Sequence, residues 1–221
     1  MRGWWLCHGV RALDGGSPTT LDVADLKRKH VIDVLGAAEI VTVGPDGTPL
    51  ATLLPILWNE AGGTVIAHLA RANDHWQHIE PGSRFLAIVA GPQAYVSPAW
   101  YASKAEHGRV VPTWNYTTVH LTGTITVHDD PEWVRRAVTE LTDRHEKSRT
   151  IPWAVTDAPA QYVDGQLKSI VGLEMTVERV EAKAKLSQNR SAADHTGVIA
   201  GLNAEGGPHE RSVAALMRQE P

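Results

Sequence analysis

The amino-acid sequence predicts a mainly β protein of the α+β class, in which a small, mainly antiparallel barrel carries helices at its periphery. Two observations indicate this fold class. Five or six segments rich in β-branched and apolar residues alternate with turns containing Gly, Pro, Asp or Asn, and the segments with helical periodicity flank them. A chain of 221 residues also buries about 70% of its extended surface without disulfides, so one main domain is expected.

The first part of the chain combines a helix, a hairpin and a further strand. Two threonines precede a segment with an apolar helical face, which predicts a helix over about residues 21–35. The turn at residues 44–47 joins two strands in a hairpin. A short helix begins at Asn73 or Asp74 and ends at the next Pro-Gly pair. The strands predicted for this part are 38–43, 48–57 and 64–69.

The second part contains three further strands, which are predicted at 84–90, 113–127 and 170–182. Gly123 indicates a bulge where the longest of them bends. Asp130 and Pro131 begin an amphipathic helix over 131–147. We therefore expect an N-terminal extension (1–20), a barrel domain (21–202) and a polar tail with a short C-terminal helix (203–221).

Composition argues against several classes of function. The chain has 21 Lys and Arg residues and 25 Asp and Glu residues, which gives a net charge of −4. Residues of both signs are mixed along the sequence, so the concentrated positive charge of a direct nucleic-acid binder is missing. The basic cluster Lys27-Arg28-Lys29 is interpreted as a solvated helix face. No apolar window reaches membrane length, so we expect a cytoplasmic protein without a membrane partner. The single cysteine, Cys7, excludes a cysteine-built metal site.

His68 is the first candidate functional residue. Strand alternation places it with Thr64 and Ile66 on one face of its strand. It is either a barrel-wall histidine bonded to a neighbour or a metal or haem ligand on a rigid strand. Arg71 and Asn73 follow at a strand-to-helix junction, where they either contact a phosphate or carboxylate or serve as a solvated cation and a cap.

Other common sites find little support in the sequence. His75 and His78 could share one helical face, but no third metal ligand follows at a recognisable spacing. The GxSxG, SxxK, P-loop and dinucleotide-binding motifs are absent from the 221 residues.

The segment 185–190, with the sequence KLSQNR, is the second candidate, because it concentrates hydrogen-bonding side chains just after the last strand. It either forms a polar turn or holds the anionic groups of a cofactor. A set of aromatic residues is typical of core and interface, although its flanking residues Pro98, Pro112 and Asn115 also allow a lined groove. This set is Tyr95, Trp100, Tyr101, Trp114 and Tyr116.

Eight ordered motifs then carry a family resemblance. They are DGTPLATLLP (46–55), AHLARANDHW (67–76), GPQAYVSPAWY (91–101), HGRVVPTWNYTTVH (107–120), LTDRHE (141–146), PWAV with DAP (152–159), KSIVGLEM (168–175) and KLSQNR (185–190). Together they resemble the PaiB-type family of FMN-binding negative transcriptional regulators over about residues 21–202. The resemblance implies an FMN-binding split β-barrel, similar to pyridoxamine-phosphate oxidase. It also implies a homodimer with cofactor sites at the subunit interface.

A haem-dependent branch of this family, the piperazate synthases, binds haem b and closes N5-hydroxyornithine into piperazic acid by making an N–N bond. The chain has Leu53 where many PaiB-type regulators have the histidine of ATHLP, which removes a polar group near the expected flavin site. The first twenty residues also replace the usual short MYxP-type start. The resemblance therefore favours the piperazate synthase branch, with haem b as cofactor and FMN as the alternative.

In this hypothesis His68 is the haem ligand and the metal-binding residue, and the substrate is an N-hydroxylated diamino acid. Lys185 and Tyr116 are the candidate proton donors for the departing hydroxide. The expected cofactor contacts are Leu53, Leu54, His68, Arg71, Asn73, Trp114, Asn115, Lys185, Ser187, Gln188 and Arg190. FMN would use Arg71, Asn73, Ser187 and Gln188 equally well, so the residues alone leave the cofactor open.

The long strand 113–127 also predicts a dimer, because it carries no charged residue between Trp114 and Val127. Its apolar residues Trp114, Tyr116, Val119 and Leu121 are expected to pack against a second copy. A twofold interface would bring the KLSQNR segment of one copy toward His68 and Arg71 of the other.

Overall fold

The structure is a computed structural model that describes residues 36–219, and six strands of this range form a closed antiparallel barrel. The strands are β1 (Ala37–Val43), β2 (Pro49–Asn59), β3 (Thr64–Ala70), β4 (Arg84–Val96), β5 (Thr113–His128) and β6 (Ile170–Lys185). Their order around the barrel is β1-β2-β3-β6-β5-β4. The fold class predicted from the sequence is confirmed.

The helices are α1 (Ser103–His107), α2 (Pro131–Glu146), α3 (Ala160–Leu167), α4 (Ala192–Glu205) and α5 (Pro208–Gln219), with short 3-10 turns at Asp74–His78, Pro98–Trp100 and Val155–Asp157. Among residues 36–219, none of these helices is long and apolar enough to cross a bilayer. Four features of the sequence lie outside the described residues. They are the extension 1–20, the helix predicted at 21–35, the basic cluster at 27–29 and Cys7.

The described chain forms two compact units. The larger contains residues 36–89 and 120–180, and the smaller contains residues 90–119 and 181–219. The strands β4, β5 and β6 each contribute residues to both units.

In the larger unit, alternate residues of each strand fill the barrel core, as the period of two in a strand requires. Fully or nearly fully buried core residues include Ile40, Val65, Ala67, Val89, Ile125, Val171, Leu173 and Met175. Asp130 caps α2, accepting a hydrogen bond from the backbone N–H of Trp133 at 2.8 Å. The helices α2 and α3 then pack through an apolar cluster that includes Val134, Val163 and Leu167.

Gly123 lies where β5 and β6 approach each other closely. A Cβ atom at this position would lie 1.8 Å from the carbonyl oxygen of Thr176. The sequence predicted a bulge at Gly123, and the structure supplies a steric reason for a glycine there.

The smaller unit contains the ends of three strands together with α1, α4 and α5. The sequence predicted a polar tail with a short helix at 203–221. In the structure α5 buries Val213, Ala214 and Met217 against an apolar cluster that includes Val96 and Leu202, so this helix belongs to a packed core. Gly206 joins α4 to α5 with a φ of 72°, a conformation that glycine adopts without strain.

Candidate functional site

His68 lies on the outer face of β3, because its neighbours Ala67 and Leu69 point into the barrel core. The Nδ1 atom of His68 is buried and has no hydrogen-bond partner within the described residues. Burial lowers the pKa of His68. The imidazole is therefore neutral at pH 7, and a neutral imidazole is the form of histidine that binds metal ions.

A cluster of three side chains, Trp133, His128 and Glu174, lies next to the residue of β6 that pairs with His68. Gly172 of β6 is the register partner of His68, and a Cβ atom on Gly172 would lie 2.2 Å from the ring of Trp133. The Trp133 ring stacks on His128 with centroids 4.1 Å apart and an interplanar angle of 5°. The Nε2 atom of His128 lies 2.7 Å from a carboxylate oxygen of Glu174.

Sequence reasoning did not include this cluster among the site residues. The available signal was a glycine in the middle of an apolar strand, together with a tryptophan in the first turn of a capped helix.

Arg71 connects three segments of the larger unit. Its Nε donates to the carbonyl of Lys168 at 2.9 Å, and one Nη2 bond reaches the carbonyl of Ile170 at 3.3 Å. Its two Nη atoms also hold both carboxylate oxygens of Asp129. This ion pair keeps the pKa of Asp129 below its usual range. Arg71 therefore ties chain segments together where the sequence predicted a contact to a cofactor anion.

Asn73 and His75 form a second internal network. The Asn73 side chain accepts from the His75 backbone N–H at 3.0 Å and donates to the Thr52 hydroxyl at 3.3 Å. The two ring nitrogens of His75 lie 2.8 Å from the hydroxyls of Thr42 and Thr52. Burial is the main cause that lowers the pKa of His75. These contacts assign Asn73 a capping role, the alternative that the sequence had left open.

Leu53 and Leu54 point to opposite sides of β2. The side chain of Leu53 is 62% exposed on the outer face, whereas Leu54 is 6% exposed and belongs to the core. Of these two residues, Leu53 shares the outer side of the barrel wall with His68, so Leu54 is removed from the expected cofactor contacts.

In the smaller unit, an exposed aromatic pair occupies β4 and β5. Tyr95 and Trp114 contact each other edge to face, with centroids 6.4 Å apart, and the Trp114 Nε1 donates to the Gln93 side chain at 3.1 Å. Tyr116 follows on the same face of β5, while Asn115 between them is fully buried. The alternation thus places Trp114, an expected cofactor contact, and Tyr116, a candidate proton donor, on the outside of the strand and Asn115 on the inside.

Asn115 fixes the turn at the end of β6. Its amide and the Ser187 hydroxyl exchange hydrogen bonds of 3.1 and 3.2 Å. Ser187 has a φ of 64°, an unusual conformation for a residue other than glycine. The side chain of Gln188 bonds the backbone of Leu186 and Ala184 within the same turn. Asn115, Ser187 and Gln188 therefore serve the turn itself in this chain.

Lys185 and Arg190 are the two cations of the KLSQNR segment, and both contact residues outside the turn. The Lys185 ammonium donates one hydrogen bond, at 2.8 Å, to the Thr113 hydroxyl. The Arg190 guanidinium lies 4.5 Å above the ring of Tyr101. Of the predicted anion contacts in this segment, Lys185 and Arg190 are the two whose charged groups are not used up by the turn.

The predicted site residues fall into two groups, one in each unit. The larger unit holds Leu53, Leu54, His68, Arg71 and Asn73, and the smaller unit holds Trp114, Asn115, Tyr116, Lys185, Ser187, Gln188 and Arg190. No cluster of three or more His, Cys, Asp or Glu side chains suited to a metal ion occurs in residues 36–219.

Comparison with known proteins identifies the family. Residues 22–179 match the family described as "Putative FMN-binding domain". The chain is 32% identical over 182 residues to protease synthase and sporulation protein PAI 2 of Bacillus subtilis, an alignment covering 81% of this chain and 85% of that protein. The chain belongs to the PaiB-type family. The family resemblance inferred from the eight motifs is confirmed.

Solved structures similar to this PaiB-type chain share its fold. The FAD and haem binding protein from Mycobacterium smegmatis superposes with a TM-score of 0.55 at 17% identity, covering 85% of this chain and 80% of that chain. The flavocytochrome Anf3 from Azotobacter vinelandii gives a TM-score of 0.50 at 11% identity, covering 80% and 74% of the two chains. At these identities the similarity establishes the split-barrel fold.

Proposed function

We propose that this PaiB-type protein is a haem-dependent cyclase of the piperazate synthase kind, which converts N5-hydroxyornithine to piperazic acid. The observation that carries the proposal is His68. Its imidazole is neutral, its buried Nδ1 lacks a partner in the described part of the chain, and a rigid strand holds it. A neutral imidazole is the form of histidine that coordinates a metal ion, and a strand fixes the direction of the ring.

The donor set agrees with haem better than with FMN. Haem requires an imidazole ligand, apolar surface and cations for two propionates, and His68 and Leu53 of one copy with Trp114, Lys185 and Arg190 of a second copy would hold it. An FMN phosphate would require several free donors at one place. The four residues expected to provide them are already engaged within the chain; they are Arg71, Asn73, Ser187 and Gln188.

We propose further that two copies of the chain share each site. The second copy would supply Lys185 and Arg190 near His68, as the homodimer of the family resemblance implies. The exposed Trp114 and Tyr95 side chains favour such an assembly, since they leave aromatic surface in water in the single chain.

The reaction requires no net transfer of electrons. One amine nitrogen of the substrate bonds to the hydroxylated nitrogen, the N–O bond breaks, and the departing hydroxide takes up a proton and leaves as water. Haem, when bound, would supply Lewis acidity toward the N–OH group. The chain must fold the linear diamine so that its nitrogens meet, which lowers the entropic part of the barrier. Lys185, as an ammonium, or Tyr116, as a phenol, would donate the proton.

Absorption spectroscopy of the purified protein tests this proposal. Protein produced with a haem precursor should be red with a Soret band, and His68→Ala should lose the band while remaining folded by circular dichroism. The matched control is His209→Ala, because His209 is an exposed histidine on α5. Product formation from N5-hydroxyornithine, followed by mass spectrometry, should disappear with the band.

Two spectral results contradict the haem assignment. One is the absence of a Soret band in the parent protein after reconstitution with haem, and the other is an unchanged band in His68→Ala. A yellow protein with bound FMN would instead support a flavin oxidoreductase or regulator. That second candidate is favoured by the match of residues 22–179 to a family described by FMN binding.

A further inference from the structure

We propose that a cleft at the start of α2, separate from the proposed haem site, binds a small aliphatic monocarboxylate. The cleft has a volume of about 390 Å³ and lies between the end of β3, the first turns of α2, the end of α3 and the start of β6. Sites for small organic ligands have volumes from about 300 Å³ upward, so a small organic acid fits.

The charges of the cleft leave one cation in excess. Its walls contain three basic residues (Arg71, Arg135 and Lys168) and two acidic ones (Asp129 and Asp164). Arg71 pairs with Asp129, and Arg135 pairs with Asp164. Lys168 forms no ion pair with any carboxylate of residues 36–219. A ligand with one negative charge therefore balances the cleft.

The pairing also selects against an amino acid or an amine. Asp129 and Asp164 are each balanced by an arginine, so the ammonium group of a zwitterion would add a positive charge that no unpaired carboxylate of the cleft offsets. This separates the ligand of the cleft from the diamino acid substrate proposed above.

Hydrogen-bond donors remain available for the carboxylate. The guanidinium of Arg71 is occupied by Asp129 and two backbone carbonyls. Arg135 donates to Asp164 through Nη2, and no other bond from its side chain occurs within the described chain. Lys168 and the remaining N–H groups of Arg135 can therefore hold the two oxygens of a carboxylate.

Apolar side chains complete the cleft and favour an organic ligand over an inorganic anion. Pro131 and Ile170 line the cleft with accessible apolar surface, whereas Val134 and Leu167, at 2% and 7% exposure, add little to it. Contact with these side chains favours an aliphatic body several carbons long behind the carboxylate. The structure thus matches pentanoate better than acetate or phosphate.

Amide chemical shifts of the isotope-labelled protein as purified test the proposal, with pentanoate as the probe. Pentanoate should shift amides around Val134 and Lys168 and should bind more tightly than acetate, inorganic phosphate, pentan-1-ol and norvaline. Lys168→Met keeps the aliphatic stem and removes the charge, so it should weaken pentanoate binding at least about tenfold. The matched control is Lys147→Met, an exposed lysine just beyond α2 in the same unit, which should leave binding unchanged.

Three results would overturn the carboxylate site. They are the absence of saturable shifts with pentanoate, equal binding by Lys168→Met, and phosphate binding as tight as pentanoate binding. The spectrum of each variant shows directly whether it is folded. The outcome is independent of haem, because His68→Ala is expected to bind pentanoate like the parent protein.

Discussion

His75 is a buried base held by two hydroxyl groups. In the neutral ring one nitrogen donates and the other accepts, so the hydroxyls of Thr42 and Thr52 satisfy both. Burial disfavours the charged ring and lowers the pKa of His75 in the folded protein. Below the ordinary histidine pKa of about 6.5, the unfolded chain therefore binds more protons than the folded one. The contribution of His75 to the free energy of unfolding therefore decreases as the pH falls through this range.

Replacing His75 by glutamine tests this residue. His75→Gln should lower the free energy of unfolding by about 1–3 kcal/mol at neutral pH, because buried hydrogen bonds are lost. It should also flatten the decrease in stability between about pH 7 and pH 5. Urea unfolding at several pH values measures both effects, and exposed His209→Gln is the control. A variant with the full slope of the parent protein would show that His75 does not titrate on unfolding.

At the scale of elements, the Trp133 side chain packs α2 against β6. The ring lies over Gly172, where any Cβ atom would be 2.2 Å away, and it stacks on His128. The stack and the His128–Glu174 contact restrict the ring, so it cannot shift freely to admit a side chain. The absence of a side chain at residue 172 is thus what allows the helix to lie close to the strand.

Gly172→Ala should therefore destabilise the protein by about 1–3 kcal/mol. Gly165→Ala provides the contrast, because Gly165 lies in α3 with no heavy atom within 4 Å of an added Cβ, and alanine there should be neutral or stabilise by up to about 1 kcal/mol. Chemical denaturation measures both. Adding Trp133→Leu to Gly172→Ala should cost less than the sum of the two single changes. Additive costs would mean that the ring does not oppose the new methyl group.

At the scale of the whole molecule, we expect a homodimer that uses the outer face of β5. The sequence predicted that Val119 and Leu121 take part, but these residues are 1% and 0% exposed in the single chain and belong to its interior. Trp114 and Tyr116 point to the other side of the strand, and Trp114 is 47% exposed. The interface assignment is therefore corrected to the residues on the Trp114 side.

Trp114→Glu should raise the proportion of monomer at micromolar concentration, because a charge replaces aromatic surface at the interface. Trp153→Glu is the matched control, since Trp153 is also 47% exposed but lies in the other unit. Sedimentation velocity measures the distribution of species for both variants. A parent protein that is monomeric, or a Trp114→Glu variant as dimeric as the parent, would contradict the assignment.

The sequence could predict the strands and the side on which His68 lies, because both follow from the local period of two. It could not predict how Arg71 is used, since Asp129 lies 58 positions further along the chain. The same limit applies to Asn115, whose partner Ser187 is 72 positions away. For Gln188 a local turn was one of the two interpretations, and the structure shows its amide bonded to that turn. Polar residues near a strand end indicate hydrogen bonds, but tertiary packing decides whether a ligand or the chain receives them.

The contact between Trp133 and Gly172 also constrains how the sequence can change over evolutionary time. A side chain at residue 172 is compatible with this helix position only if residue 133 is smaller than tryptophan. Whichever of the two residues changes first, the protein therefore loses stability until the other one changes as well. Homologues should therefore have Trp at position 133 with Gly at position 172, or a smaller residue at 133 with a side chain at 172. The combination of Trp at 133 with a side chain at 172 should be rare. Residues 39 positions apart would vary together in the family because one occupies the space that the other leaves empty.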